Sequence, residues 1–243
     1  MALLIISDLH LSPLSTERNE LFIQFLENAL GNRDEVIIVG DLFDLWFGWH
    51  DLQPSYQQQI VKRMNDIAKS GLKITYVEGN RDFGISRLSE KPFAEVYPNS
   101  LERSWNGKNM HVEHGDLVNG SDKQYRVWRK ISKNRFTYSL PRLIPSRILS
   151  RVAQWLEEKM KNTNLKYKTF FPEKDYEKFC VNCIEKGAEI VIVGHFHRES
   201  KTEFQTKDGR RAFCCNLPGW ENGFRYLVIP DSGFEPYFKE LRS

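Results

Sequence analysis

Cysteine is scarce in this chain. Its four residues, Cys180, Cys183, Cys214 and Cys215, are too few among 243 for the disulfide framework of a small secreted protein. Cys180 and Cys183 have the spacing of some zinc and redox sites, but they fall in a helical-looking stretch with no second pair at zinc-finger spacing. Cys214 and Cys215 sit in a strand-like run, where adjacent side chains point to opposite faces. All four read as small buried apolar groups in a reduced compartment.

Long hydrophobic runs are missing too. Stretches such as Ala2 to Ile6 and Ile190 to Val193 fall far short of the roughly 18 residues that a membrane-spanning helix needs. Met1 is followed by no basic segment, and Asp8 soon interrupts the first apolar stretch, so no secretory leader is expected and the cytoplasm is the expected address. With only 15 Gly and 10 Pro, 40% hydrophobic and 28% charged residues, collagen-like, low-complexity and disordered chains are excluded. No internal repeat or low-complexity linker divides the chain, and a single domain over 1–243 is expected.

What the chain does have is an uneven charge. Between Ser121 and Phe170 there are 13 basic and 3 acidic residues, a local charge of +10, which leaves −7 for the rest of a chain whose formal total is +3. The segment points to an anionic partner: nucleic acid, a phosphorylated substrate or an anionic membrane surface. Gln124 to Arg135 and Ser146 to Asn162 look helical on either side of Pro141 and Pro145. In the second, Ile148, Leu149, Val152, Trp155, Leu156 and Met160 form one apolar face beside Arg147 and Arg151. Residues 121–170 are therefore read as a helical insertion.

Outside it, short apolar runs alternate with helical patterns. Strands are predicted at Ala2 to Ser7, Glu35 to Gly40, Lys73 to Glu78, Asn109 to His114 and Glu189 to Gly194. Helices are predicted from a cap at Thr16 to Gly31, over Gln53 to Ser70, and over Pro172 to Lys186. A hairpin of Thr202 to Gln205 with Arg211 to Asn216 and strands at Phe224 to Ile229 and Glu235 to Lys239 complete an α/β pattern of mixed sheets with outer helices.

Chemistry gathers where the strands end. Asp8 and His10 follow the first strand, Asp41 and Asp44 the second and Asn80, Arg81 and Asp82 the third; His114 and Asp116 follow a later strand, and His195 and His197 the fifth. Ligands of open α/β sheets collect at carboxyl ends of strands. Mixed carboxylate and imidazole donors suit a pair of divalent ions of the Mn²⁺ or Zn²⁺ kind. Spaced i, i+2 in extended chain, Asp8 and His10 would share one face, as would His195 and His197, and each pair could serve one site.

The ordered set Asp-x-His, Gly-Asp-x-x-Asp, Gly-Asn-x-Asp, Gly-His-x-His, with His114-Gly115 before the last, resembles the calcineurin-like metallophosphoesterases. The resemblance covers most of the chain and implies a four-layer α/β sandwich with a dinuclear centre. The ligands would be Asp8, His10, Asp41 and His197 for one metal and Asp41, Asn80, His114 and His195 for the other, with Asp41 bridging. Members usually carry a histidine where this chain has Arg81. A guanidinium cannot usefully donate a proton, so the departure favours a leaving group that is already a stable anion, as in pyrophosphate cleavage. Arg81 could also simply close a turn or pair with a surface carboxylate.

Within the family, Asp8 to Leu11, Gly40 to Phe43, Trp46, Gly79 to Phe83, His114 to Asp116 and Gly194 to Arg198 together resemble the branch that cleaves UDP-linked acylated glucosamine in lipid A biosynthesis to UMP and the acylated sugar 1-phosphate. That likeness implies Mn²⁺ as the usual metal, catalytic roles for Asp41, Asn80, Arg81 and His195, and substrate contacts from Asn80, Arg81, His195, Asp122, Tyr125, Asn164 and Lys168. A serine that the branch uses has no clear counterpart here. An apolar helix face bordered by Arg and Lys suits an acyl chain and an anionic membrane leaflet, and no nucleic-acid partner is expected. Peripheral association with the inner membrane on its cytoplasmic side follows. The competing readings are a broader nucleotide pyrophosphatase or phosphodiesterase, and a fold that keeps a metal site only as a binding scaffold.

Overall fold

The computed structural model describes residues 1–48, 53–88, 91–120, 127, 129–130, 155, 171–233 and 235–241. In chain order the elements are β1 (Leu3–Ile6), α1 (Thr16–Asn32), β2 (Glu35–Val39), β3 (Trp46–Phe47), α2 (Ser55–Lys69), β4 (Ile74–Val77), β5 (Asp82–Phe83), β6 (Glu95–Tyr97), β7 (Ser100–Trp105), β8 (Lys108–Glu113), α3 (Glu173–Glu185), β9 (Ile190–Val193), β10 (Ser200–Gln205), β11 (Arg211–Asn216), β12 (Arg225–Ile229) and β13 (Tyr237–Glu240).

Two sheets face each other. The first has strand order β13-β12-β1-β2-β4-β6 and the second β10-β11-β9-β8-β7. Parallel strands covered on both faces read as near-continuous apolar runs, and β1, β2, β4 and β9 are of this kind, with Glu35 opening β2 and Thr75 inside β4. Their alternate side chains divide between layers. Leu3, Ile5, Ile37 and Val39 meet Val112, Ile190, Ile192 and Cys215 between the sheets. Leu4, Ile6 and Ile38 turn outward onto Phe22, Phe25, Ile60 and Met64 of α1 and α2, while Val191, Val193 and Cys214 turn outward onto Tyr176, Cys180 and Cys183 of α3. The result is the helix-sheet-sheet-helix sandwich that the family resemblance implies. Cys214 and Cys215 do point to opposite faces, and all four cysteines are free and buried.

Element ends differ from the sequence reading in small ways. Ser15, not Thr16, occupies the N-cap of α1, and the helix passes through Gly31 to end on Arg33, whose left-handed backbone (φ 57°) lets its N–H reach Ala29 and Leu30. Strands β6 and β7 fall outside the predicted set. The hairpin of β10 and β11 pairs antiparallel, Gln205 opposite Arg211. Among the described residues, no helix is long and apolar enough to cross a membrane.

Strands β1, β2 and β4 run parallel in one sheet, as do β8, β9 and β11 in the other. Each sheet therefore brings the carboxyl ends of its strands to one edge. The two short strands β3 and β5 pair parallel, and Trp46 N–H donates to the Arg81 carbonyl at 2.9 Å, which ties the loops after β2 and β4 together.

Candidate metal centre

The residues that follow the strands turn into one cleft by a route the sequence reading did not foresee. β1 ends at Ile6 and β9 at Val193, so neither pair of ligands is carried by extended chain. Asp8 (φ 52°), His10 (φ 45°), Asp41 (φ 53°), His195 (φ 72°) and His197 (φ 53°) all adopt left-handed backbone, five of the eight non-glycine residues that do so among the described residues. Such conformations cost roughly 1–3 kcal/mol each and persist where surrounding bonds hold them, characteristically at functional sites. Here Asp8 N–H donates to the Gly40 carbonyl at 3.2 Å, His10 N–H to Asp41 at 3.1 Å and Leu11 N–H to Leu42 at 2.9 Å. Arg18 of α1 braces the same turn by donating to the carbonyls of Leu9 and His10. Gly40 (φ 76°) permits the crossing of the second turn: a Cβ there would lie 2.6 Å from His114 Nδ1 and 2.5 Å from Gly79 Cα.

Two clusters result, and they separate His195 from His197. In one, His10 and His197 stack with ring centroids 5.2 Å apart, their Nε2 atoms 3.4 Å from each other, and Asp8 Oδ1 lies 3.4 Å from His197 Nε2. In the other, His114 Nε2 and His195 Nδ1 approach Asn80 Oδ1 at 2.9 and 3.0 Å, and Asp41 Oδ1 lies 3.7 Å from His114 Nε2. His114 Nδ1 donates to the Val39 carbonyl at 2.9 Å, which leaves Nε2 as the lone-pair nitrogen aimed at the cleft. Asp8 joins the clusters, since its Oδ2 accepts the backbone N–H of His195 at 2.8 Å.

Around these, Asp82 Oδ2 accepts three bonds, from the backbone N–H of Asp41 and Gly79 and from the Tyr76 hydroxyl. Asp44 Oδ1 is 3.5 Å from His10 Nδ1. Asp116 accepts Arg129 Nε at 2.5 Å, and Arg129 also reaches Asn99 at 3.1 Å. Arg81, 6% exposed, donates its backbone N–H to Asp41 Oδ1 and one guanidinium nitrogen to the Asp44 carbonyl, with Nε 3.4 Å from Asp41 Oδ2. The carboxylate beside Arg81 is therefore the buried Asp41 inside the cleft, not a surface group.

The electrostatics follow from crowding charged groups into a buried space. Burial by itself would raise the Asp8 carboxyl, but His197, His114 and His10 hold it well below the usual carboxylate range. Burial raises Asp41 against the pull of His114 and Arg81. It also drives His10 well below its ordinary value, helped by Arg81, and brings His195 down to about 4, helped by His114. Burial opposes charge on His114 and His197 as well. Asp41 and Asp8 nevertheless raise His114, and Asp8 with Glu221 brings His197 up to about 10.

The residues present fit a pair of divalent cations. Asp8, His10 and His197 each offer a ligand atom within 4.8 Å of the others, and so do Asp8, Asp41 and His114. Asp8 Oδ1, which faces the His197 ring, is buried without a hydrogen-bond partner among the described residues, a costly arrangement that a cation would relieve. The oxygen and imidazole donor set is of the kind that Mn²⁺ and Zn²⁺ accept. Asp8 belongs to both groups, whereas the family resemblance sets Asp41 between the ions.

Of the residues expected from sequence, Asp8, His10, Asp41, Asn80, Arg81, His114, His195 and His197 come together here. Asp122, Tyr125, Asn164 and Lys168 lie outside the described residues, as do Ile148, Leu149 and Val152 of the apolar helix face; of that face Trp155 is described, at 53% exposed. Sequence reasoning missed Tyr76, Arg129 and Glu221. Only Tyr76 left a signal, being a phenol inside a fully buried strand, where its hydroxyl must find a partner.

The calcineurin-like phosphoesterase family matches residues 1–199, most of the chain, and the chain belongs to that family of hydrolases, which use divalent metals. The chain is also similar over nearly its full length to proteins named UDP-2,3-diacylglucosamine hydrolase. That of Tolumonas auensis is 30% identical over 242 residues, covering 95% of this chain and 94% of its own. That of Aliivibrio fischeri is 29% identical over 247 residues, covering all of both chains, and that of Edwardsiella ictaluri is 27% identical over 234 residues, covering 96% of this chain and 90% of its own.

Proposed function

We propose that this chain hydrolyses the pyrophosphate bond of UDP-2,3-diacylglucosamine to UMP and 2,3-diacylglucosamine 1-phosphate, the step of lipid A biosynthesis. The relatives named for this hydrolysis run the length of the chain. The observation that carries the reading is Arg81, a guanidinium held in the cleft against Asp41 where the family usually has a histidine.

Two divalent cations, with Mn²⁺ the first candidate, would be held by Asp8, His10, Asp41 and His197 and by Asp41, Asn80, His114 and His195. When bound, they supply a Lewis acid that polarises phosphoryl oxygens and lowers the pKa of water. The remaining work belongs to the chain itself. Water oxygen bonds to the uridine-side phosphorus as the bond from that phosphorus to the bridging oxygen breaks, and the electron pair leaves on the sugar 1-phosphate. A water proton goes to solvent, since the departing phosphate needs none at neutral pH. Arg81 offsets the charge that builds on this leaving group, from a buried position where a fixed cation is worth more than in water. His195, pushed down to about 4, is neutral near pH 7 and so offers a lone pair to a cation without first losing a proton.

Asp122, Tyr125, Asn164 and Lys168 are assigned to the sugar and acyl groups, and the basic insertion to the anionic cytoplasmic face of the inner membrane. The test is release of UMP by purified protein with Mn²⁺ from UDP-2,3-diacylglucosamine, UDP-N-acetylglucosamine and bis(p-nitrophenyl) phosphate. Preference for the acylated substrate by at least about 100-fold, on the scale of a missing buried binding group, is expected. Equal cleavage of all three would assign the chain to a broad phosphodiesterase instead.

A further inference from the structure

The segment from Leu217 to Gly223 lies past the residues that match the family, which end at 199, yet it forms one wall of the metal centre. Its anchor is Trp220, fully buried and packed edge-on against Phe22, Phe25 and Phe224. From that anchor Trp220 N–H reaches the Asp8 carbonyl at 3.3 Å. Gly219 lies against the His197 ring. A Cβ at that position would collide with Nδ1 and sit 2.9 Å from Cγ, although its φ of −71° suits any residue, so it is space and not backbone conformation that calls for glycine. Glu221, 23% exposed at its side chain, places Oε1 3.2 Å from His197 Nδ1. The other ring nitrogen, Nε2, is the one that faces His10 and Asp8.

We infer that Glu221 is a positioning residue for the metal centre: it takes the hydrogen bond from His197 Nδ1–H, which keeps the lone pair on Nε2 and aims it into the cleft, while Gly219 leaves the ring room to lie in that plane. The inference rests on the metal-dependent reading above and extends it to a part of the chain that the family match does not reach. A carboxylate behind a ligating imidazole fixes its tautomer and orientation and strengthens it as a donor, and its removal typically weakens metal binding about 10- to 100-fold.

The experiment is Mn²⁺ titration of the metal-stripped protein by calorimetry, with circular dichroism to confirm the fold. Wild type is expected to bind two ions. Glu221→Ala should weaken one binding step 10- to 100-fold and leave the other unchanged. Glu221→Gln, which retains an acceptor oxygen, should recover most of the loss, and Glu221→Ala should add little in a His197→Ala background because both act on one ligand. Wild-type affinity for both ions in a folded Glu221→Ala protein, or equal losses from Ala and Gln, would overturn the inference. Should Glu221→Ala not fold, Gly219→Ala takes its place: a weakened step supports the inference and an unchanged titration overturns it. Because ion binding is read directly, this outcome is separate from whether the UDP-linked substrate is cleaved.

Discussion

Asp82 Oδ2 accepts the backbone N–H of Asp41 at 3.0 Å, joining the start of β5 to the turn after β2 beneath the metal centre. The same oxygen takes the Tyr76 hydroxyl at 2.8 Å and Gly79 N–H at 2.7 Å. The left-handed turn at Asp41 is therefore held from below by one buried carboxylate. Tyr76→Phe removes one of its three donors and should cost about 1.5–3 kcal/mol in denaturant unfolding, the usual range for a hydrogen bond to a charged group. Asp82→Ala strips all three donors of their partner and should cost more than Tyr76→Phe while lowering kcat. Equal stability of Asp82→Ala and wild type would show that the turn is held elsewhere.

Asp41 stands with both Asp8 and His114 in reach of a cation. Asp41→Ala is expected to lower bound metal, measured by elemental analysis after dialysis, and to reduce turnover by at least about 1000-fold, the loss of a Lewis acid's contribution of several kcal/mol. A folded variant that lost both metals and kept normal turnover would sink the dinuclear reading.

Arg81→Gln removes the buried cation and keeps a polar group of similar reach. A fall of about 100-fold in kcat is expected, comparable with removing one oxyanion-stabilising donor, with little change in KM. In ¹⁸O-water the label should appear in UMP for wild type and variant alike. Label confined to the sugar phosphate would reverse the direction of attack proposed above.

His111 lies on β8 away from the cleft, with Nε2 3.2 Å from Glu113 and Nδ1 3.5 Å from Glu102. Burial opposes its charge, yet contacts with Cys183 and Glu113 bring it up to about 10. A folded value above the unfolded one of about 6.5 means that its stabilisation is complete below pH 6.5 and is lost as the pH rises towards 10. His111→Gln should therefore be less stable than wild type by about 1 kcal/mol at pH 6, a figure set low because His111 is only partly buried. The gap should close by pH 10. Urea midpoints at the two pH values decide it, and a gap that is constant with pH would refute the linkage.

Much of the frame was legible in the chain because its cause is local. β1, β2, β4 and β9 are covered on both faces, so each appears as a nearly unbroken apolar run, and the acids and histidines just past them stand out by position alone. Strands β6 and β7 left no such trace: Ser100–Trp105 is a sheet-edge strand with only Leu101 and Trp105 buried, and Glu95–Tyr97 is three partly exposed residues. What the tertiary structure alone decided is how the ligands meet. Asp and His tolerate left-handed backbone better than most residues, but at Asp8, His10, Asp41, His195 and His197 that tolerance does not choose the conformation, which is held by bonds from other strand ends. Tyr76 to Asp82, Arg129 to Asp116 and Glu221 to His197 likewise join groups 6, 13 and 24 residues apart. A hydrogen bond needs its partners within about 3 Å, and only the packed tertiary structure, with its two sheets face to face, brings these groups that close.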